Sequence, residues 1–561
     1  MEKCRSEEVA LKSLFLGPQA ENHEWVSTQI DTLLKSWFDW RRSFRPEDGR
    51  AISEDDMKTP EYLLVKARTE KVLKELASRF EQEIPKFSPR YIGHMFSEMS
   101  LPALFGHILT LLHNPNNISG ESSKVGVLIE EEAVGALAKM IGFQNGIGHF
   151  TSGGTIANFE AVYRARTRCF NWMAVGRECG SPSAFESAAM GWVRYEWLRD
   201  FVQQTEDFHL CRSPVLLVPQ HKHYSWVKAV NVFGLGADSL WSVQVSSKGH
   251  LDVQDLEKQI LRAHTEDRPV MMVVSVLGTT ELGMIDPIHE VQALLNRYQE
   301  ERGWHLWHHV DAAYGGFLCS LIGDDPQVAE ALSEESLKAI RAVGLATSVT
   351  IDPHKLGYVP YASGVFLADD SKDYYQQSFG GPYVDFSVQR DKGPFTLEGS
   401  RPATGAVATW MTSQCVGLSQ EGYGQIIART IRLRKELERR LTEETKEVRL
   451  APFVDSNLLG FNLARVGDSL KKVNERTLRL YESLGCDEKS DFYLSKTVLY
   501  LKNYSSYFEE FVKTWQGELD ADELVLIRIC IMNPFFKSVE MDVDLQELFV
   551  KLVAKSSREL E

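Results

Sequence analysis

Four short segments hold the residue types best suited to chemistry. Val349-Thr350-Ile351-Asp352-Pro353-His354-Lys355-Leu356-Gly357-Tyr358 sets a lysine directly after a histidine, just past an apolar run. Open α/β sheets build ligand sites at such strand ends. An amine kept neutral by burial and a cationic neighbour can attack an aldehyde and form a Schiff base. Alone, Lys355 reads equally as a loop lysine in solvent. His308-His309-Val310-Asp311-Ala312-Ala313-Tyr314-Gly315-Gly316 ends a second apolar run with a carboxylate, followed by small residues that let a flat ring approach the backbone. A buried Asp311 without a cation is costly, so a protonated pyridine nitrogen suits it; a helix N-cap is the alternative. Phe150-Thr151-Ser152-Gly153-Gly154-Thr155-Ile156 is a Gly-rich turn opening a helix. Its free N–H groups and positive dipole end could hold a phosphate, although many helices open this way without a ligand. Gln220-His221-Lys222-His223-Tyr224-Ser225 follows another apolar run, and His223 could lie on a ligand ring or be an ordinary loop histidine.

Together the four describe a phosphate cradle, a ring-stacking histidine, a carboxylate for a pyridine nitrogen and a Schiff-base lysine. That set is a pyridoxal 5'-phosphate site, and it is far more specific than its parts.

The same motifs carry a resemblance. With Leu14-Phe15-Leu16-Gly17-Pro18-Gln19-Ala20-Glu21-Asn22, Arg90-Tyr91-Ile92-Gly93-His94-Met95 and Leu397-Glu398-Gly399-Ser400, the chain resembles the group II pyridoxal-phosphate-dependent amino-acid decarboxylases, most nearly their bacterial tyrosine decarboxylase branch. The resemblance implies that Lys355 holds the cofactor, that Asp311 pairs with the pyridine nitrogen, and that Ala313 and His223 lie on opposite faces of the ring. It also implies that Gly154, Thr155, Ser348 and His354 lie at or beside the phosphate, with Thr280 near the ring and Tyr361 lining the substrate pocket. The acid that protonates the α-carbon is expected to be Tyr383, in a Gly-rich aromatic segment with the look of a lid, or else Tyr361. Two departures bear on substrate identity. The phosphate turn reads Thr-Ser-Gly-Gly-Thr where the tyrosine branch is nearer Ala-Asp-Gly-Ser, and Lys124-Val125-Gly126 replaces a Pro-Ala-Thr type sequence.

The implied reaction is decarboxylation of an L-amino acid, aromatic in the first instance (tyrosine or DOPA), to the amine and CO2. Acidic substrates are the alternative, with Arg90 or His94 supplying the basic group; Arg528 could clamp a carboxylate or face outward on its strand. Decarboxylation with oxidative deamination, and a cofactor-binding protein without catalysis, are the further rivals. Retention of Lys355, Asp311 and His223 together argues against the last.

These segments need a scaffold, and the rest of the chain supplies its outline. Its 561 residues exceed one compact core. A hydrophobic fraction of 43% with 25% charged residues is that of a globular protein. The formal charge of −16, with no Lys/Arg-rich run, argues against a nucleic-acid partner. Eight cysteines without a Cys-x-x-Cys pair fit scattered thiols in a reducing compartment and no metal site. Neither an apolar leader nor a membrane-length apolar run is present, so a cytoplasmic enzyme without a membrane partner is expected.

Helix-spaced Trp25, Leu33, Leu34 and Trp37, and a second amphipathic run over 60–84, make 1–105 an N-terminal helical arm. Continuous apolar runs at 215–218, 270–276, 306–310 and 345–351, separated by helical stretches, make 106–404 a large doubly wound α/β domain with a mainly parallel sheet. A helix over 426–445 and strands at 458–464, 496–501 and 524–532 make 405–561 a small α+β domain. This is the fold-type-I, aspartate-aminotransferase-like architecture, for which the resemblance implies a homodimer with active sites at the interface. The role of the aromatic-rich insertion over 171–212 is not legible.

Overall fold

The structure is a computed structural model that describes residues 11–175, 213–376, 391–485 and 490–560. Tyr383 and nearly all of the 171–212 insertion lie outside the described residues. The chain opens with two long helices, α1 (His23–Phe44) and α2 (Pro60–Phe80). Thr59 caps α2 by accepting the Tyr62 N–H, and Pro60 takes the first helical position, where its missing N–H costs nothing. Val26 is the one buried residue of α1, and α2 has none. Helices α3 (Leu101–His113) and α4 (Gly126–Ile141) follow; α4 stops at Gly142, whose φ of 95° suits glycine.

The large sheet then alternates with helices. Its elements are β1 (Ile147–Thr151), α5 (Gly154–Val175), β2 (Val215–Pro219), α6 (Ser225–Val232), β3 (Leu240–Val243), α7 (Val253–Thr265), β4 (Val270–Val276), α8 (Ile288–Arg302), β5 (His308–Ala312), β6 (Ser348–Ile351) and β7 (Gly364–Ala368). The seven strands lie in the order β1-β7-β6-β5-β4-β2-β3. Only β7 runs against its neighbours, pairing antiparallel with both β1 and β6. The fully apolar β2 shows why the sheet is parallel and internal. Leu216 and Val218 face a core with Ala161, Val162 and Trp226, while Val215 and Leu217 face a second core with Leu256, Ile260 and Leu295. Beneath β5 and β6, Val310, Ala312, Val349 and Ile351 pack with Ala133, Leu137 and Ile141 of α4.

The C-terminal part holds α9 (Thr404–Cys415), α10 (Gln425–Glu444), β8 (Val448–Leu450), β9 (Leu458–Leu463), α11 (Leu470–Leu484), β10 (Ser495–Tyr500), β11 (Glu523–Cys530) and α12 (Leu545–Glu559). Its strands form an antiparallel sheet in the order β10-β11-β9-β8. Every strand expected from an apolar run is present within a few residues. The structure adds β1, β3, β7 and β8, which are short or, in β1, contain polar His149 and glycine. The expected strand over 306–310 lies two residues later, because Trp307 leads into it and Asp311 belongs to it.

Candidate active site

Because β1, β2, β4, β5 and β6 all point the same way, the turns after them gather on one edge of the sheet. Ser152 to Thr155 follow β1, His221 and His223 follow β2, and Gly278 and Thr280 follow β4. Asp311 and Ala313 lie at the end of β5, with Asp352, His354 and Lys355 after β6. All of these line one cleft. The four segments, spread from Phe150 to Tyr358 in the chain, therefore converge, at the position where α/β sheets bind ligands.

Asp311 is 5% exposed. Its Oδ2 accepts from Asn158 Nδ2 at 2.8 Å and from Trp226 Nε1 at 3.1 Å, and its Oδ1 from the Ala313 N–H at 3.3 Å. The last bond is the cap-like contact of the alternative reading. The other two fix the carboxylate in the cleft, and among the described residues no cation pairs with it. A buried carboxylate held by neutral donors is suited to a cationic ring nitrogen. Asn158 and Trp226 were not singled out in the sequence. The signal for Asn158 was its place one turn into α5, after Gly154.

The turn before α5 is built for close approach. A Cβ on Gly154 would lie 2.8 Å from Asp352 Oδ2 and 3.0 Å from the Ala313 Cβ. The turn is held from below by buried charge. Glu130 Oε1 accepts the Phe150 N–H at 2.7 Å, and Arg401, paired with Glu130, donates to the Phe150 carbonyl at 3.0 Å. Glu398 Oε2 accepts the Ser152 N–H at 3.2 Å. Burial pushes His223 below its ordinary value, so the ring facing the cleft is neutral and apolar on its faces, as stacking requires.

Lys355 differs from its expected setting. Its neighbour His354 is also pushed down by burial and is not a cation. The group beside the Lys355 amine is an anion: Asp352 Oδ2 lies 3.0 Å from Nζ, and 3.5 Å from His354 Nε2. Asp352 was read only as part of the motif, and the structure places it at the centre of the site. His354 stacks on Tyr361, ring centroids 4.0 Å apart. Tyr361 is 57% exposed, and desolvation first, then Asp352, push its phenol up to about 12.

Ser348 is set apart from the other expected cofactor residues. It begins β6, three residues before the carboxyl edge, and its fully buried Oγ bonds Trp307 Nε1 and His309 Nδ1, each at 2.8 Å. It supports the sheet and is not among the described residues of the cleft. Arg90 donates to the Asp491 carbonyl at 3.0 Å and pairs with the Asp491 carboxylate at 3.5 Å, so its charge is engaged. His94 is pushed down by burial and by Arg528. Arg528 is buried against Ser495 Oγ and the Gly93 carbonyl, at 3.3 and 3.5 Å, rather than facing outward.

Comparison with known proteins bears on the family and the fold. Residues 173–463 match the family described as the pyridoxal-dependent decarboxylase conserved domain. L-tyrosine decarboxylase of Enterococcus faecium is 29% identical, over 97% of this chain and 98% of that one. Aspartate 1-decarboxylase of Aliivibrio fischeri is 30% identical over 65% of this chain and 62% of the relative. Among solved structures, mouse CSAD in apo form superposes with a TM-score of 0.66 at 20% identity, covering 93% of this chain and 98% of that chain. Oryza sativa TDC with PLP and tryptamine gives 0.66 at 16% identity, covering 95% and 98%. Both likenesses support the fold.

Proposed function

Because the chain belongs to the pyridoxal-dependent decarboxylase family, we propose that this PLP-dependent amino-acid decarboxylase acts on an aromatic L-amino acid, tyrosine or DOPA, releasing the amine and CO2. The cleft fits its cofactor: a turn without side chains at Gly154 for the phosphate, a buried carboxylate at Asp311 for the ring nitrogen, and the Lys355 amine for the aldehyde. When bound, the cofactor supplies an electron sink for the pair left behind by departing CO2. The protein's part is orientation and proton control. Asp311, held by Asn158 and Trp226, keeps a proton on the ring nitrogen. His223 and Ala313 enclose the ring, with Thr155, His354 and Thr280 at its margins. Tyr383 is our assignment for the acid that protonates the α-carbon, with Tyr361 as the second candidate.

One observation carries the aromatic reading. From the cleft outward, His354 stacks on Tyr361, Tyr361 meets Phe96 edge-on at 6.2 Å, and Phe96 stacks on His94 at 5.9 Å. The basic groups that an acidic side chain would need are engaged (Arg90) or uncharged (His94). The near full-length likeness to a tyrosine decarboxylase supports the same choice.

We further propose a division at 1–105, 106–404 and 405–561, a cytoplasmic setting and a homodimer. Cys319, Cys415 and Cys530, which form no disulfide among the described residues, support the setting. The dimer is supported by the apolar side chains that α2 leaves in solvent, among them Leu64, Val65, Leu73 and Phe80, each at least 60% exposed.

The test is CO2 and amine release from the cofactor-loaded protein over the common L-amino acids and DOPA. Tyramine or dopamine as dominant product supports the reading. An amine from glutamate or aspartate overturns the substrate, and no product from any overturns catalysis.

A further inference from the structure

We propose that the buried ion pair of Glu130 and Arg401 is a positioning device for the cofactor phosphate: it pins Phe150 at the edge of the large sheet and so sets the turn over 152–155 that receives the phosphate. This rests on the reading of the cleft as a pyridoxal phosphate site.

Strand β1 is the outermost strand of that sheet and pairs on one side alone, with β7. The open side of an edge strand presents N–H and C=O groups that need partners when buried. At Phe150, the next-to-last residue of β1, one ion pair meets both needs. Glu130 Oε1 accepts the Phe150 N–H at 2.7 Å, and Arg401 donates to the Phe150 carbonyl at 3.0 Å. Both charged side chains are 3% exposed. The pair is itself seated on the loop before α4. Arg401 donates to the Asn117 carbonyl at 2.9 Å, its own carbonyl accepts the Asn117 N–H at 2.7 Å, and Asn117 Nδ2 donates to Glu130 Oε2 at 3.1 Å. Bonds of this kind, with one charged partner, are the strong ones. The guanidinium fork reaches two carbonyls and a carboxylate at once, which a lysine ammonium does not.

Only Thr151 separates Phe150 from the turn. There the Ser152 N–H is taken by Glu398 Oε2 at 3.2 Å. Glu398 stands on a strap that α5 grips with a second buried pair: Glu160 Oε1 accepts the Leu397 N–H and Arg164 donates to the Phe395 carbonyl, each at 2.7 Å. With Ser152 occupied by a carboxylate, a phosphate is left the N–H groups of Gly154 and Thr155, which begin α5 and have no acceptor within the helix. Their direction depends on the strand end that leads into them, and Glu130 and Arg401 hold that end. A brace that served the fold alone would matter equally to every ligand of the cleft. A brace of the phosphate turn matters to ligands that carry a phosphate, and this difference separates the two roles.

The experiment uses cofactor-free full-length protein: wild type, Arg401→Lys and Asn116→Ala. Lysine keeps a charge beside Glu130 and gives up the fork. Asn116 Oδ1 accepts the Arg401 N–H at 3.0 Å from a half-buried site, so its removal loosens the seat of Arg401 at little risk to the fold. Affinities for pyridoxal 5'-phosphate, for pyridoxal lacking the phosphate and for inorganic phosphate are measured by absorbance titration and calorimetry. Arg401→Lys should bind pyridoxal 5'-phosphate and inorganic phosphate about tenfold more weakly, the scale of one hydrogen bond to a charged group, with pyridoxal changed by less than about twofold. Asn116→Ala should shift the same two ligands in the same sense by about threefold, the scale of a neutral hydrogen bond. Equal losses for pyridoxal and its phosphate overturn the proposal, and so does an unchanged phosphate affinity in both variants. Should Arg401→Lys fail to fold, the same comparison in Asn116→Ala decides. A wild type that takes up neither aldehyde overturns the cofactor reading itself, a result distinct from a wild type that binds both and variants that lose both alike.

Discussion

Asp311 and Asp352 are two buried carboxylates in one cleft, and their surroundings assign them different work. Asp311 is held by neutral donors and lies at a strand end, so its charge is available to a ring nitrogen. Asp352 already has the Lys355 amine at 3.0 Å. Asp311→Asn keeps the shape and removes the charge, so cofactor capture should survive while kcat falls about 10²–10³-fold, the scale of one preorganised charged partner. Parallel loss of capture and turnover in that variant would show Asp311 to be a structural residue. Asn158→Ala removes the shorter of the two side-chain bonds to Asp311 Oδ2 and should give a smaller loss in the same sense, about tenfold in kcat, with capture intact. A cofactor affinity that falls while kcat holds would contradict this positioning role.

At the scale of elements, the turn between β1 and α5 does the positioning, and Gly154 is its test. A methyl group there meets Asp352 at 2.8 Å and Ala313 at 3.0 Å, both on well-packed strand ends. Gly154→Ala should cost about 1–3 kcal/mol of cofactor affinity, roughly tenfold or more, with little change in the melting of the cofactor-free chain. An equal loss in both would mean the turn serves folding alone. This turn also shows what the sequence could convey. Glycines before a helix announced a turn open to close approach, and continuous apolar runs announced β2, β4 and β6, because burial on both faces leaves a pattern that needs no partner to read. β1 carries no such pattern: His149 is buried in it against Glu160, at 3.0 Å, a polar contact visible only once α5 folds over the sheet. Ser348 is set apart from the cleft for a related reason. Its type suits a phosphate, but its register at the start of β6 sends it to Trp307 and His309, and register is set by pairing across the sheet. The Asp352 contact with Lys355 needed the turn geometry after β6, since three residues of separation do not by themselves face two side chains at each other outside a helix.

For the whole molecule, three buried histidines link folding to pH. Burial pushes His149 down to about 4, His308 to about 3 and His309 to about 4. Each is neutral when folded and takes up a proton near its ordinary value of about 6.5 when unfolded. The unfolded chain therefore binds more protons over that interval, and stability rises with pH across it. Their contribution is whole above about 6.5 and drains away as pH falls toward 4, with a limiting slope of three protons, or about 4 kcal/mol per pH unit. His221 works in the opposite sense: burial would lower it, but Asp286 at 2.9 Å more than offsets that and raises it. Its stabilisation is already complete below its ordinary value, so it does not cancel the other three in the acid range. Melting temperature should thus fall steeply between pH 6.5 and 5, well before ordinary surface carboxylates titrate. His308→Gln, which keeps a hydrogen-bonding side chain facing Gln292 and Ser275, should flatten that slope by about one proton. A melting temperature independent of pH over this interval, or a variant with the wild-type slope, would show that the buried histidines do not set the acid limit of the fold.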